Sequence, residues 1–239
     1  MLYNMMFPDE QKEARERNLP LVIPVGNIEY HGPHSVCGTD IIITEGVAKR
    51  LEQQKELVLA PTFSYAPSSY AASGPEQGTI HLSMDLFEGY IKGILRAFVE
   101  GGWNNIYLLI HHQYDMELPF PLTLACMKAG KQLFFDMEEE QSGRGWFARA
   151  ADLGSVIAKM NTVKVLPVMS REVQLEMGYD HAGKVECSLL AALCPEHKLV
   201  KPERAAGAEW FAQTAPEFSR EYGEQILEKC LRDLTEKIV

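Results

Sequence analysis

Short apolar runs without the alternation of a half-exposed strand limit the fold more than any other feature of this chain. Leu21-Val22-Ile23-Pro24-Val25-Gly26, Leu57-Val58-Leu59-Ala60-Pro61 and Ile106-Tyr107-Leu108-Leu109-Ile110 are each too short for a buried helix and end at a turn residue or a polar cluster. Such runs read as strands buried on both faces. Val163 to Leu166 and Leu133-Phe134-Phe135 read as two weaker strands. Between the runs lie stretches with helical periodicity. Residues 39–54 carry Val47 and Leu51 four apart, with Asp40 in the first turn, where an acid suits the helix dipole. In residues 84–101, Leu86, Tyr90, Ile94 and Phe98 form one face, and Gly101-Gly102 ends the helix. Further helices are predicted over 118–130, 184–194 and 208–238, the last striped by Tyr222, Ile226, Cys230 and Leu234. Residues 63–83 read as a long loop rich in Ser, Ala, Gly and Pro, of a length that is usually functional or mobile. Strand–helix alternation predicts an α/β fold with a mostly parallel sheet covered on both faces. The 239 residues suit a single domain spanning 1–239.

In such sheets reactive groups gather beyond the carboxyl ends of the strands. Glu29 and His31 follow the first run, and His111-His112 follow the run ending at Ile110. Glu29 and His31 are two apart, so on extended backbone they point to one side, and Asp40 can return to the same cavity from the start of its helix. A carboxylate placed there can bridge two cations roughly 3.5–4 Å apart, as in two-metal hydrolysis. Carboxylate oxygens and imidazoles together suit Zn²⁺, Mn²⁺ or Fe²⁺. Alternation along the third run turns one of the two histidines toward Glu29, and His112 is the favoured one. His181, in a turn before a helix, and Glu186, inside that helix's start on an otherwise apolar segment, form a further cluster. Glu186 either is buried and wants a cation or lies on the solvent face. Taken singly, Glu29 is as readily a surface acid and His31 a hydrogen-bonded turn residue. As a set within one glycine-rich stretch, Gly26 to Gly38, they point to a metal-dependent hydrolase.

Other chemistries find less support. Cys187 and Ser188 lack a nucleophile elbow, and there is no phosphate loop, Walker, HExxH or CxxC motif. Trp103, Trp146 and Trp210 read as core or interface residues. A net charge of −10 argues against nucleic acid, whose binding draws on basic surface. The five scattered cysteines read as reduced thiols. The N-terminal residues, with Asp9, Glu10 and Glu13, do not resemble a signal peptide, and no apolar run approaches the roughly 20 residues of a membrane helix. A soluble cytoplasmic enzyme with no membrane partner is expected.

Pro24-Val25-Gly26-Asn27-Ile28-Glu29-Tyr30-His31-Gly32-Pro33-His34, followed by Gly38-Thr39-Asp40, resembles the opening signature of the creatininase (creatinine amidohydrolase) family. Gly78-Thr79-Ile80 resembles its mid-chain element, and Asp180-His181-Ala182-Gly183 with Glu186 and Ser188 its late element; together they cover residues 20–190 in the family's order. The resemblance implies a three-layer α/β/α fold, a binuclear divalent-metal site and a homohexamer built as a trimer of dimers. It implies Glu29, His31, Asp40 and His112 as metal ligands, with Asp40 bridging. Glu186 would be a further ligand or the acid–base group, and His181 would contact substrate or shuttle a proton. One stretch departs from the pattern: the family's Asn-Gly-His-Gly-Gly-Asn is here Ile110-His111-His112-Gln113-Tyr114-Asp115. Cys187 likewise replaces a threonine. Gln113 and Tyr114 then become candidate substrate-binding residues, and creatinine itself is disfavoured because creatininase proper has a glutamate where Tyr114 stands. The expected reaction is hydrolysis of a small cyclic amide or related ring bond by a metal-activated water. A cyclic keto-inositol or other carbohydrate-like ring is the runner-up, and a non-catalytic metal- or ligand-binding subunit the reading of another class.

Overall fold

The computed structural model describes residues 1–112 and 120–239. At its centre is a four-stranded, all-parallel sheet in the order β2-β1-β3-β4. The strands are β1 (Leu21–Val25), β2 (Val58–Leu59), β3 (Ile106–Ile110) and β4 (Val163–Pro167). β1 and β3 pair over their full length, from Leu21 opposite Ile106 to Val25 opposite Ile110, and every residue in both is buried. The helices among the described residues are α1 (Pro8–Glu16), α2 (Thr39–Glu52), α3 (Met84–Glu100), α4 (Pro121–Ser142), α5 (Leu153–Met160), α6 (Arg171–Met177), α7 (Lys184–Leu193) and α8 (Arg220–Lys237).

The pleat divides each strand between two cores. Leu21, Ile23, Val25, Ile106, Leu108 and Ile110 pack with Phe87, Ile91 and Leu95 of α3 and Leu122, Ala125 and Ala129 of α4. Val22, Tyr107 and Leu109 face the other way, onto Ile43, Val47 and Leu51 of α2, Leu189 of α7 and Ile226, Cys230 and Leu234 of α8. Each such aliphatic side chain contributes about 1.5–3 kcal/mol by leaving water, so both faces need helices. That requirement makes the three layers. The chain crosses from β1 to β2 on one side and from β3 to β4 on the other, so the loops after β1 and β3 part company and leave a crevice between them.

Several elements differ from their sequence expectation. On α3 the buried stripe is Phe87, Ile91 and Leu95, while Leu86 and Tyr90 are mostly exposed. Both rows step by four, so spacing alone does not choose between them; the core takes the Phe87 row, and Ile94 and Phe98 reach its edge only as their own row drifts around the helix. α4 runs on to Ser142 and absorbs the expected strand at Leu133-Phe134-Phe135. The flanking Lys, Gln, Met and Glu residues favour helix, and Leu133 and Phe134 are buried by α4's own packing. The final helix begins at Arg220, where the Ser219 hydroxyl accepts from the Tyr222 N–H. Residues before it form short 3₁₀ turns, Trp210–Ala212 and Ala215–Glu217, because Pro216 supplies no N–H to continue a helix. β2 is only two residues long. No described helix is long and apolar enough to cross a membrane.

Candidate metal centre

The crevice is built by close approach. A Cβ on Gly26, just past β1, would lie 2.8 Å from the Ile41 backbone nitrogen. Only glycine lets the first turn of α2 come this near, and Asp40, 1% exposed, is carried in with it. The following loop doubles back, with the Glu29 N–H donating to the Cys37 carbonyl at 2.9 Å, which turns Glu29 and His31 into the crevice. His112 enters from the end of β3. Glu186 enters from the first turn of α7, whose Val185 and Glu186 N–H groups donate to the Asp180 carboxylate at 2.8 and 3.2 Å.

Glu29, His31, Asp40, His112 and Glu186, distant in sequence, meet here and are all buried. His112 Nδ1 lies 3.0 Å from Glu29 Oε1 and 2.9 Å from Asp40 Oδ2. His31 Nε2 lies 3.4 Å from Asp40 Oδ1 and 3.5 Å from Glu186 Oε2. Two triads with metal-ligand spacing result, Glu29–Asp40–His112 and His31–Asp40–Glu186, and Asp40 belongs to both. A third, Glu29–His31–His181, overlaps them at the rim.

The buried ring nitrogens and carboxylate oxygens at the centre lack hydrogen-bond partners: His31 Nε2, His112 Nδ1 and both oxygens of Asp40. They lie close together without bonding. The opposite nitrogen of each imidazole faces a backbone carbonyl: His31 Nδ1 to Glu29 at 3.0 Å, His112 Nε2 to Pro67 at 3.2 Å and His181 Nε2 to Tyr30 at 3.1 Å. A carbonyl can only accept, so that nitrogen carries a hydrogen, and once the ring gives up its second proton the inward nitrogen offers a lone pair. Unpartnered buried donors and acceptors are unfavourable by about 1–3 kcal/mol each, and a cation held by each triad would satisfy them together. The donor set fits divalent metal.

Burial alone would make His31 and His112 weaker bases, but Asp40, with Glu186 and Glu29, outweighs it and holds both up at about 10. Burial also opposes ionisation of Asp40, yet the facing His112 and His31 keep its carboxyl well below the usual carboxylate range. Glu186 is brought down to about 2 against its burial, mainly by the hydrogen bond from His111 and the charges of His31 and His181. Asp180 goes the other way, to about 6, because it is buried beside Glu186. Protons on the imidazoles thus do for Asp40 and Glu186 what cations would do.

The family model for creatininase, creatinine amidohydrolase, matches residues 4–228. The chain belongs to the creatininase family. It is 26% identical to the creatinine amidohydrolase of Pseudomonas putida over 91% of this chain and 88% of that protein. It is 23% identical to the 3-dehydro-scyllo-inosose hydrolase of Thermotoga maritima, over 77% of this chain and 54% of that one. A solved structure described as creatininase Mn superposes with a TM-score of 0.75 at 20% identity, covering 99% of this chain and 98% of the other, and so shares the fold.

Within this creatininase-family site, His181 keeps to the edge, its Nδ1 3.7 Å from Glu29 Oε1 and its ring against His31 and Phe211. Gln113 and Tyr114 lie outside the described residues. Of the paired histidines His112 is the one that meets Glu29, as alternation predicts, but His111 also reaches the site from its other side. β3 ends at Ile110, so strand alternation no longer governs the next residues, and His111 Nε2 reaches Glu186 Oε1 at 3.1 Å. Asp180 was also missed as a site-building residue; its signal was an acid just ahead of a helix start.

Proposed function

We propose that this protein is a metal-dependent hydrolase that opens a small cyclic amide, or a related ring bond, with two divalent cations per chain. Zn²⁺ and Mn²⁺ suit the mixed imidazole–carboxylate donors best, and Fe²⁺ is the further option. The observation that carries the reading is Asp40, which turns one unpartnered carboxylate oxygen toward each triad. Glu29, Asp40 and His112 would hold one cation, and His31, Asp40 and Glu186 the other. Bound there, the cations would lower the pKa of a water toward neutrality and polarise the substrate carbonyl.

The chain's own residues then have separate tasks. Glu29, Asp40 and Glu186 bring three negative charges into a dry crevice and offset most of the charge of two divalent cations. Glu186 stays ionised in the resting protein, so it can take a proton from the attacking water and return it to the leaving atom, a step worth about 10²–10⁴-fold. His111, only partly buried and bonded to Glu186 Oε1, links that carboxylate to solvent. His181, the more exposed group at the rim, would contact substrate or shuttle the proton instead. Gln113 and Tyr114 follow His112 directly in sequence and would hold the polar groups of the ring.

A second reading, hydrolysis of a cyclic keto-inositol or other carbohydrate-like ring, is favoured by the Thermotoga maritima relative and by the hydrogen-bonding groups of Gln113, Tyr114 and Asp115. The protein would act as a homohexamer in the cytoplasm, on a small molecule, without nucleic acid or membrane. Metal analysis followed by a screen of cyclic amides against cyclic keto-sugars with the Mn²⁺- and Zn²⁺-loaded protein tests the metal content and the reaction. Turnover of one class chooses between the two readings. Two bound cations with no hydrolysis of either class would leave a metal-binding subunit.

A further inference from the structure

One fully buried histidine near the crevice belongs to neither triad. His34 lies in the turn after β1, 2% exposed, and its Nε2 donates to the Ala182 carbonyl at 2.7 Å. Gly32 makes room for the ring: its φ is +75°, and a Cβ there would meet His34 Cε1 and Nδ1 at 2.6 Å. The Lys201 N–H fixes the backbone of the turn by donating to the His34 carbonyl at 2.7 Å.

The residue His34 holds is itself unusual. Ala182 has a φ of +56°, in the left-handed region that an alanine keeps only when its surroundings impose it. This conformation aims the Ala182 N–H at Glu186 Oε2, 2.6 Å away. That same oxygen lies 3.5 Å from His31 Nε2. Cys187 Sγ is the other donor to the Ala182 carbonyl, at 3.5 Å, and a thiol is a weak one. His34 is therefore the main restraint on that peptide from outside its own turn.

We infer that His34 is a positioning residue: by holding the Ala182 carbonyl it keeps Ala182 in its left-handed conformation, and that conformation aims the Ala182 N–H that orients Glu186 toward the centre shared with His31 and Asp40. The inference rests on reading Glu186 as a metal ligand. It makes one cation site, and not the other, depend on a side chain that touches neither, and it ties the turn after β1 to the start of α7.

Equilibrium titration with Mn²⁺, followed by metal analysis, tests this on wild type, H34F and the double variant H34F/A182G. Phenylalanine keeps the ring's bulk on Gly32 and removes the donor, together with a buried Nδ1 that has no partner to lose. Loss of an outer hydrogen-bond partner typically weakens metal affinity about 10–100-fold, so H34F should bind one Mn²⁺ that much more weakly and the other normally. Glycine adopts a positive φ without strain, so H34F/A182G should recover about tenfold of the loss; a residue that merely fills volume would give no such rescue. Wild type that binds no Mn²⁺ overturns the ligand reading and this inference together. Wild type that binds two, with H34F unchanged or unrescued by A182G, overturns the inference alone. Should H34F not fold, A182V decides: a β-branched residue resists φ +56° with His34 intact, so the same one-site loss is expected, and unchanged affinity overturns the inference.

Discussion

Asp40 Oδ2 lies 2.9 Å from His112 Nδ1, yet neither atom has a hydrogen-bond partner. Two buried polar atoms at contact distance normally bond, unless their lone pairs converge on a third position. Asp40 Oδ1 repeats the relationship with His31 Nε2 at 3.4 Å. Asp40 therefore stands between two donor sets, and its removal should be felt by both.

D40N keeps the side chain's shape and removes its charge. Metal analysis should show both cations lost, and hydrolysis should fall by more than about 100-fold, since even an outer-shell partner is typically worth 10–100-fold. E29Q should remove chiefly the cation of its own triad. A D40N protein that retains two cations would rule out a bridge.

In the proposed two-cation site, protons and cations would compete for His31 and His112, which predicts opposite pH behaviour for the metal-free and metal-loaded protein. Both imidazoles are held at about 10, above the ordinary 6.5, so their stabilisation is complete below pH about 6.5 and is lost as pH rises through 10. Thermal unfolding of the metal-free protein should thus show stability declining between about pH 6.5 and 10. Metal binding releases those protons, so the stabilisation conferred by Mn²⁺ should grow over the same interval. A metal-induced rise in melting temperature that is flat with pH contradicts the competition.

Gly26 and Gly223 separate a glycine that shapes the site from one that only packs helices. At Gly26 a Cβ meets the α2 backbone at 2.8 Å; at Gly223, on α8, it meets the Ser188 carbonyl of α7 at 1.9 Å. Both alanine variants should lose about 1–3 kcal/mol or more to overpacking, measured by denaturant unfolding. G26A should also weaken metal binding, because it shifts the turn that carries Asp40. G223A protein that remains folded should bind cations as wild type does. Equal metal affinity for the two variants would remove Gly26 from the architecture of the centre.

The parts of this molecule that were legible in its sequence are those where one periodicity meets no competitor. β1 and β3 are apolar at every position because both faces are covered, and β3 begins and ends where its apolar run does. Glu29, His31, Asp40 and His112 were legible because they stand just past those strands or in the next helical turn. α1 was not, since only Ala14 on it is buried and a polar helix leaves no stripe to read. Its signals were local instead: Pro8 at its start and Glu10 reaching back to the Phe7 N–H. The contact of His111 with Glu186 was not legible, because the two are 75 residues apart and strand alternation no longer applies past Ile110. The left-handed Ala182 had no signal of its own, being imposed by partners far away in the chain.

His111 offers the sharpest separation of holding metal from moving protons. Its hydrogen bond is the largest influence keeping Glu186 ionised against burial. H111F removes that bond, so the Glu186 carboxyl should rise in pKa and the acid limb of the pH–rate profile should move to higher pH. His31, Asp40 and the Ala182 N–H still face Glu186, so both cations should remain bound. The turnover number should fall by about 10- to 100-fold, toward the lower part of what a positioned proton-transfer group contributes, with little change in KM. Measured together, metal stoichiometry and the pH–rate profile decide the point. A variant with two cations, the wild-type profile and undiminished turnover would show that the proton leaves by another route, with His181 the next residue to replace.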